Sequence, residues 1–248
     1  MREIRIHLDL PLGSGRRVTL PAAAAQHVSR VLRLRSGAAL TVFDGRGGEY
    51  AARLEVTGRD AAAVDVGEHR AVERESPLGI TLLQALARGE RMDWVIQKAT
   101  ELGVQQIVPV ASARSVVQLD DDRGGKRVGH WQAVAAAACE QCGRNTLPQI
   151  TAPLSLAAAL QQSTGPGCRL VLHPEAAEPL AAAVATAERP LQRVALLVGP
   201  EGGLDEAELA LAADHGFRAV RLGPRVLRTE TAGIAALAAL QCLAGDCR

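Results

Sequence analysis

The first 74 residues alternate short runs of apolar and polar positions, interrupted by one helical stretch. Ile4, Ile6 and Leu8 share one face of an extended chain, with the period of a half-buried strand. The sequence DGRGG at 44–48 offers glycines for the positive φ that a hairpin loop needs. Strands are predicted at 2–8, 40–43, 50–56 and 61–66, and a helix at 24–34. Several short strands with one helix indicate a small β-barrel domain.

From residue 75 onward, after a linker at 73–77, apolar runs alternate with helical stretches. Strands are predicted at 80–85, 106–110, near 150, and at 169–172, 194–198 and 219–222. Helices are predicted at 91–102, at 126–142, from about 155, and at 178–187, 206–215 and 231–243. Continuous apolar strands separated by helices are typical of a parallel sheet covered on both faces. The chain is therefore predicted to be α/β, with domains at 1–74 and 75–248.

The charge of the chain is unevenly distributed. The 248 residues carry 28 Lys+Arg and 27 Asp+Glu, and this near-neutrality argues at first against a nucleic-acid partner. The first domain, however, has 12 Arg and 9 acidic residues, and none of the acids lies between Asp9 and Asp44. That window contains five arginines: Arg16, Arg17, Arg30, Arg33 and Arg35. They form either an ordinary solvated face or a phosphate-binding surface, and the acid-free window favours the second.

Several classes of protein are not favoured by the sequence. With two Trp, two Phe and one Tyr, the chain lacks the aromatic residues of a base-stacking sheet. We expect no signal peptide, because the N-terminal segment MREIRIH is charged and alternating with no long apolar stretch behind it. We expect no membrane span either, because the best uncharged apolar run, 232–243, is too short. The CEQC sequence at 139–142 lacks a second ligand pair, so no metal is expected, and the five cysteines indicate reduced thiols in the cytoplasm.

Three loops that follow predicted strands carry the candidate chemistry. They are GPEGG at 199–203, LGPRVLRTETAG at 222–233 and LHPE at 172–175. Asp205 and Glu208 form a predicted capping box at the start of the helix after the first of these loops. Each loop has an alternative explanation as a tight turn between a strand and a helix. Ligands of open α/β sheets bind beyond the carboxyl ends of the strands, so the three loops are predicted to line one pocket.

These loops resemble the signature loops of the SPOUT superfamily of knotted methyltransferases. The chain is more narrowly similar to the 16S ribosomal RNA (uracil-N3)-methyltransferase family, through the two C-terminal loops together with HVSRVLR at 27–33, RMDWVIQKATELGV at 91–104 and CEQCGRNTLP at 139–148. The resemblance implies a PUA-like N-terminal barrel and a C-terminal α/β domain with a deep trefoil knot. It also implies a homodimer, the cofactor S-adenosylmethionine, and methylation of a uridine in the decoding region of the small ribosomal subunit.

The resemblance also implies which residues bind the cofactor. Nine positions of this chain match the family's loops: Leu172, His173, Gly199, Glu201, Gly202, Leu222, Gly223, Val226 and Leu227. Uracil N3 carries a proton, so a cation near O2 or O4 and a proton acceptor are needed before methyl transfer. Arg228 is predicted to supply the positive charge, and Glu230 or Glu201 to accept the proton or orient the base. The alternative is that Arg228 and Glu230 form an ion pair that only fixes the loop.

Other interpretations remain open at this point. Arg114 and Arg144 follow a strand end and a helix end, and are predicted either to hold RNA phosphates or to be ordinary surface arginines. A methyltransferase that acts on a ribose 2′-oxygen, or on another position of RNA, would share the same cofactor loops. A non-catalytic ribosome-assembly factor would share the RNA-binding surface without cofactor binding. A dinucleotide-dependent dehydrogenase is disfavoured, since no acidic residue follows a Rossmann glycine motif at the expected distance.

Overall fold

The computed structural model describes residues 4–58, 61–87, 89–115, 121–163 and 165–247, without the side chains of 121–124. It divides into two compact units. Unit 1 comprises residues 1–75 together with 136–147, and unit 2 comprises 76–135 together with 148–248. None of the described helices is long and apolar enough to cross a membrane.

Unit 1 is a five-stranded mixed sheet. Its strands are β1 (Arg5–His7), β2 (Arg17–Thr19), β3 (Ala39–Phe43), β4 (Glu49–Gly58) and β5 (Ala61–Arg70). The hydrogen-bonded order is β1-β3-β4-β5-β2, with β1 parallel to β3 and the other pairs antiparallel. Residues 2 and 3 of the first predicted strand lie outside the described residues. The strand β2 was not predicted, because three residues are too few for a recognisable period.

The helix predicted at 24–34 is shorter and less regular than expected. Helix α1 spans Ala22–Gln26, and a π-helical turn follows at His27–Val31, in which the amide of Leu32 donates to the carbonyl of His27 at 2.9 Å. The predicted hairpin at 44–48 is confirmed, with positive φ at Gly45, Gly47 and Gly48.

The segment 136–147 packs in unit 1, whereas the sequence placed it in the second domain. Arg5 reaches it through hydrogen bonds to the side chain of Asn145 and to the carbonyl of Arg144, the latter at 3.2 Å. The side chain of Glu140 accepts a hydrogen bond from the amide of His7 at 2.8 Å. These pairs are more than 130 residues apart in the chain, so no local pattern could predict them.

Unit 2 is built on a parallel sheet of eight strands. They are β6 (Gly79–Ala85), β7 (Gln106–Ala111), β8 (Gln149–Ile150), β9 (Leu154–Ser155), β10 (Cys168–Leu172), β11 (Glu178–Pro179), β12 (Arg193–Val198) and β13 (Arg218–Arg221). The order is β11-β13-β10-β12-β6-β7-β8, and β9 also pairs with β7. The helices of the second half of the chain are α2 (Arg91–Glu101), α3 (Asp121–Cys142), α4 (Leu156–Gln162), α5 (Leu180–Ala185), α6 (Glu206–Asp214) and α7 (Thr229–Ala244). The last residues of α3, 136–142, belong to unit 1.

The two faces of this sheet are covered by separate apolar clusters. Leu82 packs in a cluster with residues of α2 and α7, whereas the next residue, Leu83, packs with residues of α4 and α6. Successive side chains of a strand point to opposite faces, so a strand covered on both faces must be apolar at every position. The α/β prediction for this half of the chain is confirmed, and the fold brings β13, β10 and β12 side by side in the sheet.

Candidate active site

Three neighbouring strands end at the same edge of the unit 2 sheet. Strands β10, β12 and β13 finish at Leu172, Val198 and Arg221, and the loops that follow them surround a cleft of about 750 Å³. A cleft of this size is in the range of small-molecule and cofactor sites. The prediction that the three loops line one pocket is confirmed.

All nine residues that the resemblance assigned to cofactor binding line this cleft. The first loop contributes Leu172 and His173, the second Gly199, Glu201 and Gly202, and the third Leu222, Gly223, Val226 and Leu227. Their side chains are mostly apolar or absent, so the polar groups on the walls are largely backbone amides and carbonyls. Such a surface can hold a flat heterocycle between apolar side chains while the backbone recognises its edge.

The predicted catalytic residues are not equally placed. Glu201 and Arg228 line the cleft, whereas Glu230 does not. Glu230 lies in the first turn of α7 with a side chain 14% exposed, and its Oε2 is buried with no hydrogen-bond partner among the described residues.

The alternative ion pair between Arg228 and Glu230 is not formed. Within the described residues, Arg228 is exposed and pairs with no carboxylate, while Oε1 of Glu230 lies 3.8 Å from Nε of Arg91. The same Arg91 donates from Nη1 to Oε1 of Glu201 at 2.5 Å. Arg91 also lines the cleft and was not singled out as a site residue in the sequence. Its only signal was membership of the RMDWVIQKATELGV motif at 91–104.

A buried polar chain fixes the second loop to the start of α7. Gln84, at the end of β6, donates from Nε2 to Oγ1 of Thr229 at 2.9 Å, and Thr229 donates from Oγ1 to the carbonyl of Gly199 at 2.5 Å. Gln84 is fully buried and Thr229 is 5% exposed. Hydrogen bonds shielded from water constrain their partners strongly, because breaking one leaves a buried polar group unsatisfied. The sequence patterns did not identify either Gln84 or its role.

The loop after β7 is held against the second loop of the cleft. Arg114 donates from Nη1 to the carbonyl of Gly202 at 2.7 Å, and the amide of Ala113 donates to Oε1 of Glu208 at 2.7 Å. The predicted capping box of α6 is confirmed, since Asp205 and Glu208 bond reciprocally to each other's backbone amides. Glu208 therefore orders both the helix start and the loop that carries Arg114. Arg114 itself lines the cleft, where its charge is available to an anionic ligand.

The third loop depends on a glycine conformation. Gly223 lines the cleft with φ +126°, and a Cβ on it would meet no atom within 4 Å. The φ value is one that L residues rarely adopt and that glycine adopts without strain. The backbone at Gly223 is therefore positioned for close approach of a ligand.

The arginines of the acid-free window lie in unit 1 and are all exposed. They are Arg16, Arg17, Arg30, Arg33 and Arg35. The positive charge of Arg17 is partly neutralised in the fold. The pairing of β2 with β5 brings Arg17 beside Asp65, and Glu55 of the neighbouring strand β4 also forms an ion pair with it. A window free of acids along the chain is therefore not entirely free of them in space.

Arg144 is not placed for phosphate binding. It is 3% exposed, and its guanidinium donates to both carboxylate oxygens of Glu75, from Nε at 2.9 Å and from Nη2 at 2.5 Å. Burial opposes the charged form, but the hydrogen bonds and charge of Glu75 raise the pKa of Arg144. The prediction that Arg144 holds RNA phosphates is wrong for this structure, because a buried arginine paired in this way serves the packing of unit 1.

The cysteines do not form a metal site among the described residues. No cluster of three or more His, Cys, Asp and Glu side chains suited to a metal ion occurs in that part of the chain. None of the five cysteines, all among the described residues, forms a disulfide, and Cys139 is buried in the last turn of α3. A hydrogen bond with Cys142, together with burial, raises the pKa of the Cys139 thiol, which keeps it protonated.

Comparison with known proteins supports this description of both units. A family model described as an RNA methyltransferase domain matches residues 74–241, and one described as an RNA methyltransferase PUA domain matches residues 20–67. Ribosomal RNA small subunit methyltransferase E of Bacillus subtilis is 34% identical over 86% of this chain and 85% of its own length. The Mycobacterium tuberculosis protein of the same name is 36% identical over 86% of this chain and 82% of its own.

A solved structure is similar over the whole chain. Ribosomal RNA small subunit methyltransferase E from Neisseria gonorrhoeae, determined with bound S-adenosyl methionine, superposes with a TM-score of 0.90 at 39% identity and covers 100% of both chains. Together with the family models and the curated relatives, this places the protein in the ribosomal RNA small subunit methyltransferase E family of RNA methyltransferases.

Proposed function

We propose that this protein transfers a methyl group from S-adenosylmethionine to N3 of a uridine in the decoding region of 16S ribosomal RNA, on the assembled small subunit. The observation that carries the proposal is the convergence of three strand-end loops on one cleft that also contains Arg228 and Glu201. Membership of the family supports the reaction class, and the resemblance of the two C-terminal loops supports the choice of uracil N3.

The residues of the cleft fit the proposed cofactor. Leu172, Leu222 and Leu227 offer apolar surface for the adenine ring, and the backbone around Gly199 and Gly223 offers amides and carbonyls for its edge and the ribose. The missing Cβ of Gly223 leaves room at the cleft wall. When bound, S-adenosylmethionine supplies a methyl group on a positively charged sulfur.

The protein's own contribution to the reaction is to prepare the uracil. A neutral uracil N3 carries a proton and is a poor nucleophile, so the site must favour the deprotonated base. We assign to Arg228, exposed and without a carboxylate partner among the described residues, the stabilisation of negative charge on the uracil oxygens. Glu201 is the better placed proton acceptor, because it lines the cleft and Glu230 does not. Arg91 holds the Glu201 carboxylate in place through its 2.5 Å hydrogen bond.

We assign RNA binding to exposed arginines of both units. In unit 1 these are Arg16, Arg17, Arg30, Arg33 and Arg35, and in unit 2 Arg114 at the cleft. Arg144 is excluded by its burial. Because the chain has so few aromatic residues, binding rests on phosphate contacts and the shape of structured RNA more than on base stacking.

The family resemblance extends the proposal to the organisation of the protein. We propose that residues 1–74 form the RNA-binding domain and 75–248 the SPOUT methyltransferase domain with a trefoil knot, and that the chain acts as a homodimer in the cytoplasm, where ribosomal particles mature. Sedimentation equilibrium of the purified protein tests the dimer directly, since a monomer at assay concentrations contradicts it.

Mass spectrometry of nucleosides tests the proposed reaction. Small subunits that lack the modification are incubated with the protein and the cofactor, and their RNA is digested to nucleosides. We expect N3-methyluridine to appear with wild-type protein and turnover to fall strongly with Arg228→Ala, while Arg228→Lys retains part of it. Detection of a ribose 2′-O-methylated nucleoside would show instead that the methylated atom is a ribose oxygen and not uracil N3.

Calorimetry with S-adenosylmethionine distinguishes the methyltransferase from a non-catalytic ribosome-assembly factor. A protein that binds small subunits but does not bind S-adenosylmethionine would be an assembly factor. Normal turnover of Arg228→Ala with saturating RNA and cofactor would remove Arg228 from the mechanism without affecting the reaction assignment.

A further inference from the structure

An apolar pair protrudes from the most basic part of unit 1. Val31 is 68% exposed and Leu32 is 36% exposed, and both belong to the segment 27–37, which we call the tip. Exposed apolar residues on a protein surface are common singly, whereas here two adjacent residues at the end of a helical segment are both exposed.

The backbone of the tip is held in an uncommon conformation. The π-helical turn at His27–Val31 ends at Leu32, and Arg33 has φ +51°, the only positive φ of a non-glycine residue among those described. A left-handed arginine costs conformational energy, and π-helical turns and strained residues occur often at functional sites. This turn directs the chain so that residues 30–33 are all exposed.

Hydrogen bonds made by residues 34, 36 and 37 hold the tip in one position in unit 1. The amide of Leu34 donates to the carbonyl of Val28 at 2.9 Å, and that of Gly37 to the carbonyl of Leu54 at 2.8 Å. Ser36 accepts a hydrogen bond from the amide of Val56 at 2.9 Å. A surface held in this way loses little conformational entropy on binding.

The charge around the tip selects an anionic partner. Arg30, Arg33 and Arg35 flank the two apolar residues, and Arg53 donates from Nη1 to the carbonyl of Gly37 at the base of the tip. No acidic residue lies in the chain between Asp9 and Asp44. In space, Glu140 interacts with His27 at the start of the tip, so the positive charge is concentrated at residues 30–35. A second protein surface would need acidic residues opposite these arginines, whereas RNA presents phosphates on both sides of its bases and riboses.

We propose that Val31 and Leu32 make a direct apolar contact with bases and riboses of structured ribosomal RNA, while the flanking arginines hold the phosphates on either side. This inference rests on the proposed function for the identity of the RNA and adds an apolar component to binding that the arginines alone do not provide. Apolar side chains that enter a groove or an open base step are a known means of fixing a protein on a nucleic acid.

The two components of binding differ in their dependence on salt. Each phosphate neutralised by an arginine releases counterions, so its contribution weakens as salt rises, whereas an apolar contact releases none. Removing the apolar pair should therefore weaken binding at every salt concentration by the same factor. Removing an arginine should instead lower the slope of log affinity against log salt by about 1.

The experiment measures binding of small ribosomal subunits that lack the modification to the protein over a range of salt concentrations. The variants are Val31→Ser with Leu32→Ser, Arg35→Ala, and Leu243→Ser as a control, since Leu243 is 40% exposed at the end of α7. We expect the double variant to bind roughly tenfold more weakly with an unchanged salt slope, Arg35→Ala to lose slope, and Leu243→Ser to match wild type. Val31→Leu with Leu32→Met, which keeps the tip apolar, should retain wild-type affinity.

Three results would overturn the inference. The first is that the serine double variant binds RNA with wild-type affinity. The second is that its salt slope changes as much as that of Arg35→Ala. The third is that the double variant no longer self-associates in sedimentation, which would make the tip an interface between copies of the chain. Urea unfolding followed by circular dichroism confirms that each variant is folded, since the tip lies in unit 1 and the cofactor cleft in unit 2. Failure of wild-type protein to methylate the subunit would contradict the proposed function instead, because the binding measurement does not depend on turnover.

Discussion

Arg91 and Glu201 are 110 residues apart in the chain, yet Nη1 of the arginine lies 2.5 Å from Oε1 of the carboxylate. Arg91 begins α2 and Glu201 lies in the loop after β12, so the contact joins two elements at the edge of the cleft. The same guanidinium lies 3.8 Å from Glu230 in the first turn of α7. Arg91 therefore lies next to both carboxylates that were predicted from the sequence to accept the proton.

The first prediction concerns this arginine. Arg91→Ala leaves Glu201 without its charged partner, and we expect kcat/KM to fall by up to about fivefold, because an ion pair as exposed as this one contributes about 0.2–1 kcal/mol. Arg91→Lys should recover part of the loss, since lysine keeps the charge but not the planar guanidinium. Steady-state kinetics with small subunits provide the measurement. Equal kcat/KM for wild type and Arg91→Ala would show that the contact is incidental.

The second prediction concerns the buried hydroxyl of Thr229. Thr229→Val removes the donor to the Gly199 carbonyl and the acceptor for Gln84, so we expect a loss of roughly 1–3 kcal/mol in the free energy of unfolding and weaker cofactor binding. Thr229→Ser keeps the hydroxyl and serves as the control, with cofactor affinity close to wild type. Urea titration and calorimetry measure the two effects. Indistinguishable valine and serine variants would rule out the hydrogen-bonded chain as the cause.

The third prediction concerns Gly223, whose φ is +126°. Gly223→Ala introduces strain of roughly 1–3 kcal/mol and places a methyl group at the cleft wall, so cofactor affinity should fall. Gly129→Ala is a matched control, because Gly129 lies exposed within α3 with no atom within 4 Å of its missing Cβ. That substitution should stabilise the protein by up to about 1 kcal/mol and leave cofactor affinity unchanged. Unchanged affinity in Gly223→Ala would contradict a role of this backbone in the cofactor site.

The fourth prediction separates structural arginines from RNA-binding ones. Arg144→Met leaves the Glu75 carboxylate without its bidentate partner, and breaking a buried pair of this kind costs roughly 3–5 kcal/mol of stability. We expect Arg144→Met to unfold at a lower urea concentration than wild type. At a temperature where the variant is folded, its slope of log RNA affinity against log salt concentration should equal that of wild type. Arg35→Ala should show the reverse behaviour, because Arg35 is exposed. A reduced salt slope in Arg144→Met would restore this residue to the RNA-binding set.

The fifth prediction concerns pH. Burial lowers the pKa of His7 from its ordinary 6.5, against the opposing charges of Asp9 and Asp44. The folded state therefore binds this proton less readily than the unfolded state, so the contribution to stability is full above 6.5 and is lost as pH falls from 6.5 towards the lowered value. His7→Gln should remove this dependence. Urea midpoints of unfolding, measured for wild type and His7→Gln from about pH 7.5 to about pH 5, test this prediction. We expect the midpoints of the two proteins to differ more at about pH 7.5 than at about pH 5.

Much of the fold followed from local pattern. Strands such as β6 and β12 are apolar at nearly every position, and each is bounded by turn residues, so their type and approximate ends were predictable. The main errors arose where the local signal was weak or ambiguous. The strand β2 has three residues, and α5 begins after Pro179 instead of at Glu178, because proline occupies the cap position of that helix.

The sequence by itself determined the order of the longer helices and strands, and it located the three loops of the cleft, because parallel strands bring their carboxyl ends to one edge of the sheet. Only the tertiary structure decided which charged groups meet there. It paired Glu201 and Glu230 with Arg91, buried Arg144 against Glu75, and placed Asp65 beside Arg17. Contacts between residues distant in the chain depend on packing and pairing of whole elements, and they leave no periodic signature in the sequence.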